Sequence, residues 1–408
     1  MIEHVLIGAA ILLLLSVAAS KASDQLGIPS LLLFLLIGML AGSEGPGGIY
    51  FDDAQLAQSV GIVALIFILF AGGLETNYTR IKPVIGRGIV LATAGVLLTA
   101  ALVGGFSILV LGLNYLEGLL LGAIVSSTDA TAVFSLLGSK EISLKGDLKP
   151  LIEFESGSND PMSIFLTASL TSLIVTPHQS AIEMVPMFAQ QMALGGIAGY
   201  LAGKGMTRLV NRIQLESNGL YLVLTAAMVL LIYGATAILG GSGFLAVYIA
   251  GIAFGNSDFF YKRNVISFHD GLAWLMQITM FIVLGLLVFP SRLIPIALVG
   301  LLISAFLMFI ARPLSVFLLL GLSKMSNGEK AMVSWVGLRG AVPIVLATTP
   351  LLAGLPNAET IFNVVFFIVL TSVLLQGSSI TFAAKLLGVE STALPEVMQD
   401  DDGIINAT

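Results

Sequence analysis

Three carboxylates, an amide and two hydroxyls crowd the run Glu153-Phe154-Glu155-Ser156-Gly157-Ser158-Asn159-Asp160-Pro161, which stands between two long apolar stretches. These are oxygen-bearing groups, suited to hold a hard cation, and a carboxylate takes up a proton in its place. At helical spacing Glu155 and Asn159 lie four apart, as do Ser156 and Asp160, so the polar groups form one stripe. An ionisable side chain at mid-bilayer depth costs about 2.5 to 3.5 kcal/mol, so such a stripe must face away from lipid. Pro161 cannot donate a helical hydrogen bond and frees a carbonyl at the same depth. Two further stretches break apolar segments: Ser126-Ser127-Thr128-Asp129, and Gly337-Leu338-Arg339-Gly340 with Pro343 just beyond. Both are rich in poor helix formers or in groups that bond to backbone.

The elements that must position these groups lie in a membrane. Hydrophobic residues make up 57% of the 408, charged residues only 10%, and the mean hydropathy is +1.01, far beyond a water-soluble domain. No cysteine is present, and His4, His178 and His269 are far apart, which argues against thiol chemistry and a resident metal centre. A net charge of −6 gives no reason to expect nucleic acid as a partner. The N-terminal Met1-Ile2-Glu3-His4 lacks the basic flank of a secretory signal.

Apolar runs of bilayer length, shorter where a helix is broken, predict an all-α polytopic protein of about thirteen crossings. They fall near 4–20, 29–42, 58–75, 84–112, 115–138, 148–176, 183–206, 217–239, 241–256, 270–289, 293–320, 328–353 and 359–388. Cationic residues follow the odd segments, from Lys21, Arg80 and Lys82 through Lys140, Lys145 and Lys149 to Lys385, whereas the opposite connections hold only Arg292. The positive-inside rule then places the N-terminus outside and the C-terminus in the cytoplasm.

Gly27, Gly38 and Gly42 recur as Gly240, Gly251 and Gly255 at a constant offset of 213. The two copies are separated by an odd number of crossings, which predicts inverted-topology repeats. The expected organisation is a transmembrane domain over 1–389, with repeat one at 1–177, a linker helix at 183–206 and repeat two at 217–389, followed by a polar cytoplasmic tail at 390–408. The repeat pairs the two broken segments with each other, so both interruptions are expected to cross near the midplane.

Among charges inside segments, Asp160 reads as a functional carboxylate. Asp129 reads as a ligand, as a cap of the second half-helix, or as both. Arg339 and Glu155 are expected to form one buried ion pair. Arg312-Pro313 reads as a snorkelling cation beside a kink, and Glu75 as either an interfacial acid or a ligand. Gly195, Gly199 and Gly203 form a small-residue stripe for an intramolecular or a dimer contact. The acidic loop Ser43–Asp53 reads as a cation-concentrating entrance or as a solvated turn.

Glu155-Ser156-x-x-Asn159-Asp160-Pro161, Ser127-Thr128-Asp129-Ala130, Gly337-Leu338-Arg339-Gly340-Ala341-Val342 and Phe70-Ala71-Gly72-Gly73-Leu74-Glu75 together resemble the NhaP-type members of the monovalent cation:proton antiporter-1 family, nearest the bacterial potassium/proton branch. The resemblance spans nearly the whole chain. It implies a thirteen-helix inverted-repeat fold with crossed discontinuous helices, a homodimer in the bacterial inner membrane surrounded by lipid, and a transporter in place of an enzyme. No cofactor is implied; K⁺ or Na⁺ and H⁺ are cargo. Asp160 would bind cation or proton beside Asn159, Thr128 would lend a backbone carbonyl and Ser156 a hydroxyl, Asp129 and Glu75 would be supporting carboxylates, and Glu155 would pair with Arg339. The chain departs from the pattern at Ala130, where many members have proline, and in lacking the regulatory cytoplasmic domain of close relatives. If a cation replaces the proton on Asp160, exchange is one for one and electroneutral. A core made mainly of segments five, six, twelve and thirteen would shift against a scaffold. A cation-coupled solute symporter, a cation channel and an intramembrane aspartyl hydrolase using Asp129 and Asp160 are the competing readings.

Overall fold

The computed structural model describes residues 2–26, 29–129, 143–176 and 180–391. Gly27, Ala130, the second half of the fifth segment with Lys140, His178, and the tail from residue 392 lie outside the described residues. The chain is helical almost throughout. In order the principal helices are α1 (Ile2–Leu26), α2 (Ser30–Ala41), α3 (Ala54–Glu75), α4 (Ile85–Leu111), α5 (Tyr115–Ile124), α6 (Leu148–Val175) and α7 (Met184–Arg212). They continue with α8 (Asn218–Ile238), α9 (Gly243–Gly255), α10 (Lys262–Leu286), α11 (Ala297–Leu319), α12 (Asn327–Trp335), α13 (Ala341–Leu352) and α14 (Ala358–Leu386). Seven described helices are long and apolar enough to cross a membrane by length and composition, with four shorter apolar ones, α2, α5, α9 and α13. Thirteen crossings therefore remains the expectation from sequence.

Helix starts follow local chemistry. Asp53 caps α3 by accepting from Leu56 N at 2.8 Å, while Asn114 with Glu117 and Ser326 with Glu329 form capping boxes on α5 and α12. The acidic loop is used up in such contacts. Glu44 accepts from Ser291 N at 2.7 Å and from the Ser291 hydroxyl, and these bonds hold its carboxyl below the usual carboxylate range.

The helices sort into two bundles. In one, α3 packs on α9 and α10, α10 on α2, α2 on α1, and α9 on α7 and α8. In the other, α5 packs on α4 and α6, α4 on α11, and α14 on α11 and α13. Their main shared seam is α3 against α13.

The glycines at constant offset make reciprocal contacts. A Cβ at Gly38 would lie 3.0 Å from Gly285 Cα, and one at Gly251 would lie 3.0 Å from Gly73 Cα. Thus α2 meets α10 as α9 meets α3. A second reciprocity lies in the other bundle: π-bulges interrupt α4 at Leu91–Gly95 and α11 at Leu307–Ala311. Four residues past each bulge, Thr99 and Ser315 hydrogen-bond to each other at 3.1 Å, and Phe106 stacks on Phe306. A residue pair that bonds across equivalent helices lies at the axis relating them. The stripe Gly195, Gly199 and Gly203 is spent inside the chain, against Ser242, Ala246 and Ala250 of the segment leading into and through α9.

Because backbone meets backbone at Gly38, Gly38→Ala is expected to lower stability by about 1–3 kcal/mol through overpacking. Gly8 meets nothing within 4 Å, so Gly8→Ala should leave it unchanged. Thermal unfolding in detergent checks both.

Candidate functional site

The site is built where the extended stretch after α5 meets the break between α12 and α13. After α5 ends at Ile124 the chain runs extended through Ser127 to Asp129, and after α12 ends at Trp335 it does so through Gly340. The breaks meet directly: Asp129 N donates to Leu338 O at 2.8 Å. Gly340 makes this approach feasible, since a Cβ there would lie 2.7 Å from Asp129 Cγ.

Each helix end at the crossing leaves carbonyls without helical partners. Arg339, 1% exposed, serves several at once. Its Nε donates to Val125 O at 2.7 Å, at the end of α5, and Nη1 donates to Gly337 O. Arg339 N donates to Ser372 Oγ at 3.1 Å. On α14 Gln376 donates to Trp335 O at 2.9 Å, capping α12. Cationic donors suit these negative helix ends.

Across the crossing lies α6. Asn159 is tied to the first break twice, accepting from Thr128 N at 3.3 Å and donating Nδ2 to Thr128 Oγ1 at 2.6 Å. The Thr128 hydroxyl also bonds Ser156 Oγ at 2.9 Å, and Ser126 bonds Ser163 at 3.0 Å. Asp160, one residue on, is 6% exposed, and its Oδ1 has no hydrogen-bond partner. A lone buried acceptor of this kind is costly unless something arrives to fill it.

A cavity of about 360 Å³ reaches Asp160. Ser127, Thr128, Asp129, Ser156 and Gly340 line its inner end, and Glu75, Lys149, Glu153 and Asp270 its mouth. Asp160, Asp129, Thr128 and Ser156 therefore share one wall, while Glu75 stands exposed at the rim of the same cavity. On the far side the seam of α3 and α13 closes the path: Gly61 lies against the Val345 side chain, and Gln58 Nε2 donates to Thr349 Oγ1 at 3.1 Å.

One expectation is corrected. Glu155 is not bonded to Arg339; its Oε1 accepts from Arg312 Nη2 at 2.5 Å, with both side chains under 4% exposed. Arg339 is within electrostatic reach of Glu155, but its Nε and Nη1 go to carbonyls and its Nη2 has no hydrogen-bond partner. Arg312 accordingly is no snorkelling cation. It stands directly after the α11 bulge, and the extra residue of a π-turn rotates the next helical turn about the axis, here into the bundle. Sequence reasoning also missed Tyr248 and Gln277, both buried and lining the cavity; their only signal was polarity inside an apolar segment.

Two bundles, two helix ends meeting at backbone breaks and a lone buried carboxylate at the end of a one-sided cavity define a membrane transporter of the inverted-repeat class. Residues 10–386 match the family described as sodium/hydrogen exchanger, transmembrane. The chain is 45% identical over 393 residues to the K(+)/H(+) antiporter NhaP2 of Shewanella sp. (strain MR-4), covering 96% of this chain and 68% of that protein. It is 43% identical to the K(+)/H(+) antiporter NhaP of Alkalimonas amylolytica over 93% of this chain and 66% of that one. The solved sodium proton antiporter MjNhaP1 of Methanocaldococcus jannaschii at pH 8 superposes with a TM-score of 0.81 at 29% identity, over 95% of this chain and 100% of that one. The chain belongs to the sodium/hydrogen exchanger family.

Removing one partner of the buried pair strands the other charge, so Glu155→Gln or Arg312→Gln should each cost about 3–5 kcal/mol. In double-mutant cycles read by denaturation, the coupling of residue 155 to 312 should exceed its coupling to 339; the reverse order would overturn the pairing.

Proposed function

We propose that this protein exchanges a monovalent cation, K⁺ or Na⁺, for a proton across a bacterial plasma membrane, one for one, by alternating access. The observation that carries the proposal is Asp160 Oδ1, buried without a partner at the blind end of the cavity. The carboxylate has room for one positive charge, cation or proton. Asn159 adds no second charge and is bonded to Thr128, so the loaded site has the same charge with either substrate. Voltage then does no work on the exchange, where each net charge moved would gain about 2.3 kcal/mol per 100 mV. Thr128, Ser156 and Asp129 supply further oxygen around the same space, as a hard cation requires.

The cavity mouth lies at the end of α3 and the start of α6, beside Lys149. The cation-rich connections lie on this face, so the positive-inside rule makes it cytoplasmic and the conformation inward-facing, with the N-terminus outside and the C-terminus inside. The bundle of α4–α6 and α11–α14 is the mobile core in this reading, and the bundle of α1–α3 and α7–α10 is the scaffold and the homodimer face. The relatives at 43–45% identity are named for K⁺ and the solved one for Na⁺, which supports both ions as substrates.

In proteoliposomes bearing a pH gradient, added K⁺ or Na⁺ should collapse the gradient in wild type, unaffected by valinomycin-clamped voltage, and Asp160→Asn should abolish the response. A response that survives the mutation would overturn the assignment of Asp160; one that depends on voltage would overturn the stoichiometry. Because proton and cation compete for one carboxylate, the rate at fixed cation should describe a bell in pH, and more cation should move the acid limb to lower pH. An acid limb indifferent to cation would sink the shared-site mechanism.

A further inference from the structure

We infer that Tyr248 is a cation ligand supplied by the scaffold, present in the cavity-open state and setting ion affinity and selectivity on that face. The inference rests on the exchange reading above and adds a residue to its site. Tyr248 lies on α9, in the bundle of α3, α7 and α10, whereas Asp160 lies on α6 in the other bundle. Tyr248 is 3% exposed and lines the cavity, and its buried hydroxyl makes no hydrogen bond of good geometry, the Thr76 hydroxyl lying close by. The nearby Thr76 hydroxyl gives its own proton to Gly72 O at 2.7 Å. A buried phenol normally finds a partner, so a lone one on a polar cavity wall marks a place for a polar guest.

The position of the hydroxyl is fixed by a missing side chain. A Cβ on Gly157 would lie 2.6 Å from Tyr248 Cε2 and 2.8 Å from its hydroxyl oxygen. The phenol therefore lies against bare α6 backbone, on the face where Glu153, Gly157 and Asp160 succeed one another at helical spacing. Glu153 stands at the mouth and Asp160 at the inner end, and both carboxylates are electrostatic neighbours of the phenol. A cation on its way to Asp160 passes this oxygen. Ser156, Thr128 and Asp129 travel with the core or its crossing, so Tyr248 is the oxygen that the ion leaves behind when the core moves. Ligands carried by the core act on both faces of the membrane; a scaffold ligand acts on one.

The test is Tyr248→Phe, which removes the oxygen and keeps the ring. Cation affinity, read by calorimetric titration of detergent-purified protein with KCl, NaCl or LiCl at alkaline pH, should weaken about fivefold for the preferred ion, the loss of one neutral oxygen contact. The ratio among the three ions should change and the melting temperature should not. Gly157→Ala, whose methyl displaces the phenol, should weaken binding similarly, and the double variant should add little further loss. Affinities within twofold of wild type and an unchanged ion order in Tyr248→Phe would overturn the proposal and leave Tyr248 as packing. So would a Gly157→Ala variant whose cation affinity is unchanged and whose defect lies only in transport rate. Wild type that binds no cation at all, or loses none of its binding in Asp160→Asn, would overturn the exchange reading itself, an outcome separable from those above.

Discussion

The structure depends on backbone groups that have no water to turn to. A helix that ends inside a bilayer exposes carbonyls that must be met by protein, and α5 and α12 both end at one point here. Their mutual bond from Asp129 N to Leu338 O, the Arg339 guanidinium across Val125 O and Gly337 O, and Asn159 across Thr128 meet backbone groups at the crossing and leave the Asp160 Oδ1 carboxylate oxygen spare. It shares the cavity with two other unpartnered oxygens, the Ser127 and Tyr248 hydroxyls. An ion entering there competes with no ready internal partner, and its removal leaves the crossing intact.

Charge balance around the crossing separates two tasks that sequence alone merges. Glu155 and Asp160 are five residues apart on α6, yet one is sealed by Arg312 and the other opens to the cavity. Arg339 needs no carboxylate of its own, because two helix C-termini provide the negative potential that it neutralises. The buried ion pair thus anchors α6 to α11 within one bundle, and the Asp160 carboxylate stays free of it.

Much of this was legible in the chain. Polar groups in apolar segments are few, so Asp160, Asn159, Ser156, Thr128 and Asp129 could be grouped from helical spacing and from the two breaks, and the structure brings them to one place, with Asn159 tied to Thr128 behind the cavity wall. The glycine offset predicted a repeat, and its described pairs, Gly38 with Gly251 and Gly42 with Gly255, make matching contacts. What spacing does not encode is rotation about a helix. The bulge that precedes Arg312 turns it inward, and no composition rule distinguishes an α-turn from a π-turn. Glu75 could not be ranked for a related reason: one turn along α3 separates cavity wall from exposed rim. Tyr248 resembled any packing aromatic until its partner across the bundles proved to be a glycine.

The reciprocal construction is not matched by a reciprocal state. Gly73 and Gly285 correspond at an offset of 212, and the same step carries Gly61 to Ala273. Gly61 is pressed against Val345, and Ala273 looks into open cavity. Equivalent points on equivalent helices thus play shutter and doorway at the same time. A molecule assembled from two like halves that hold unlike postures carries the blueprint of its mirror posture within itself, and trading the two roles would turn the doorway to the other side of the membrane.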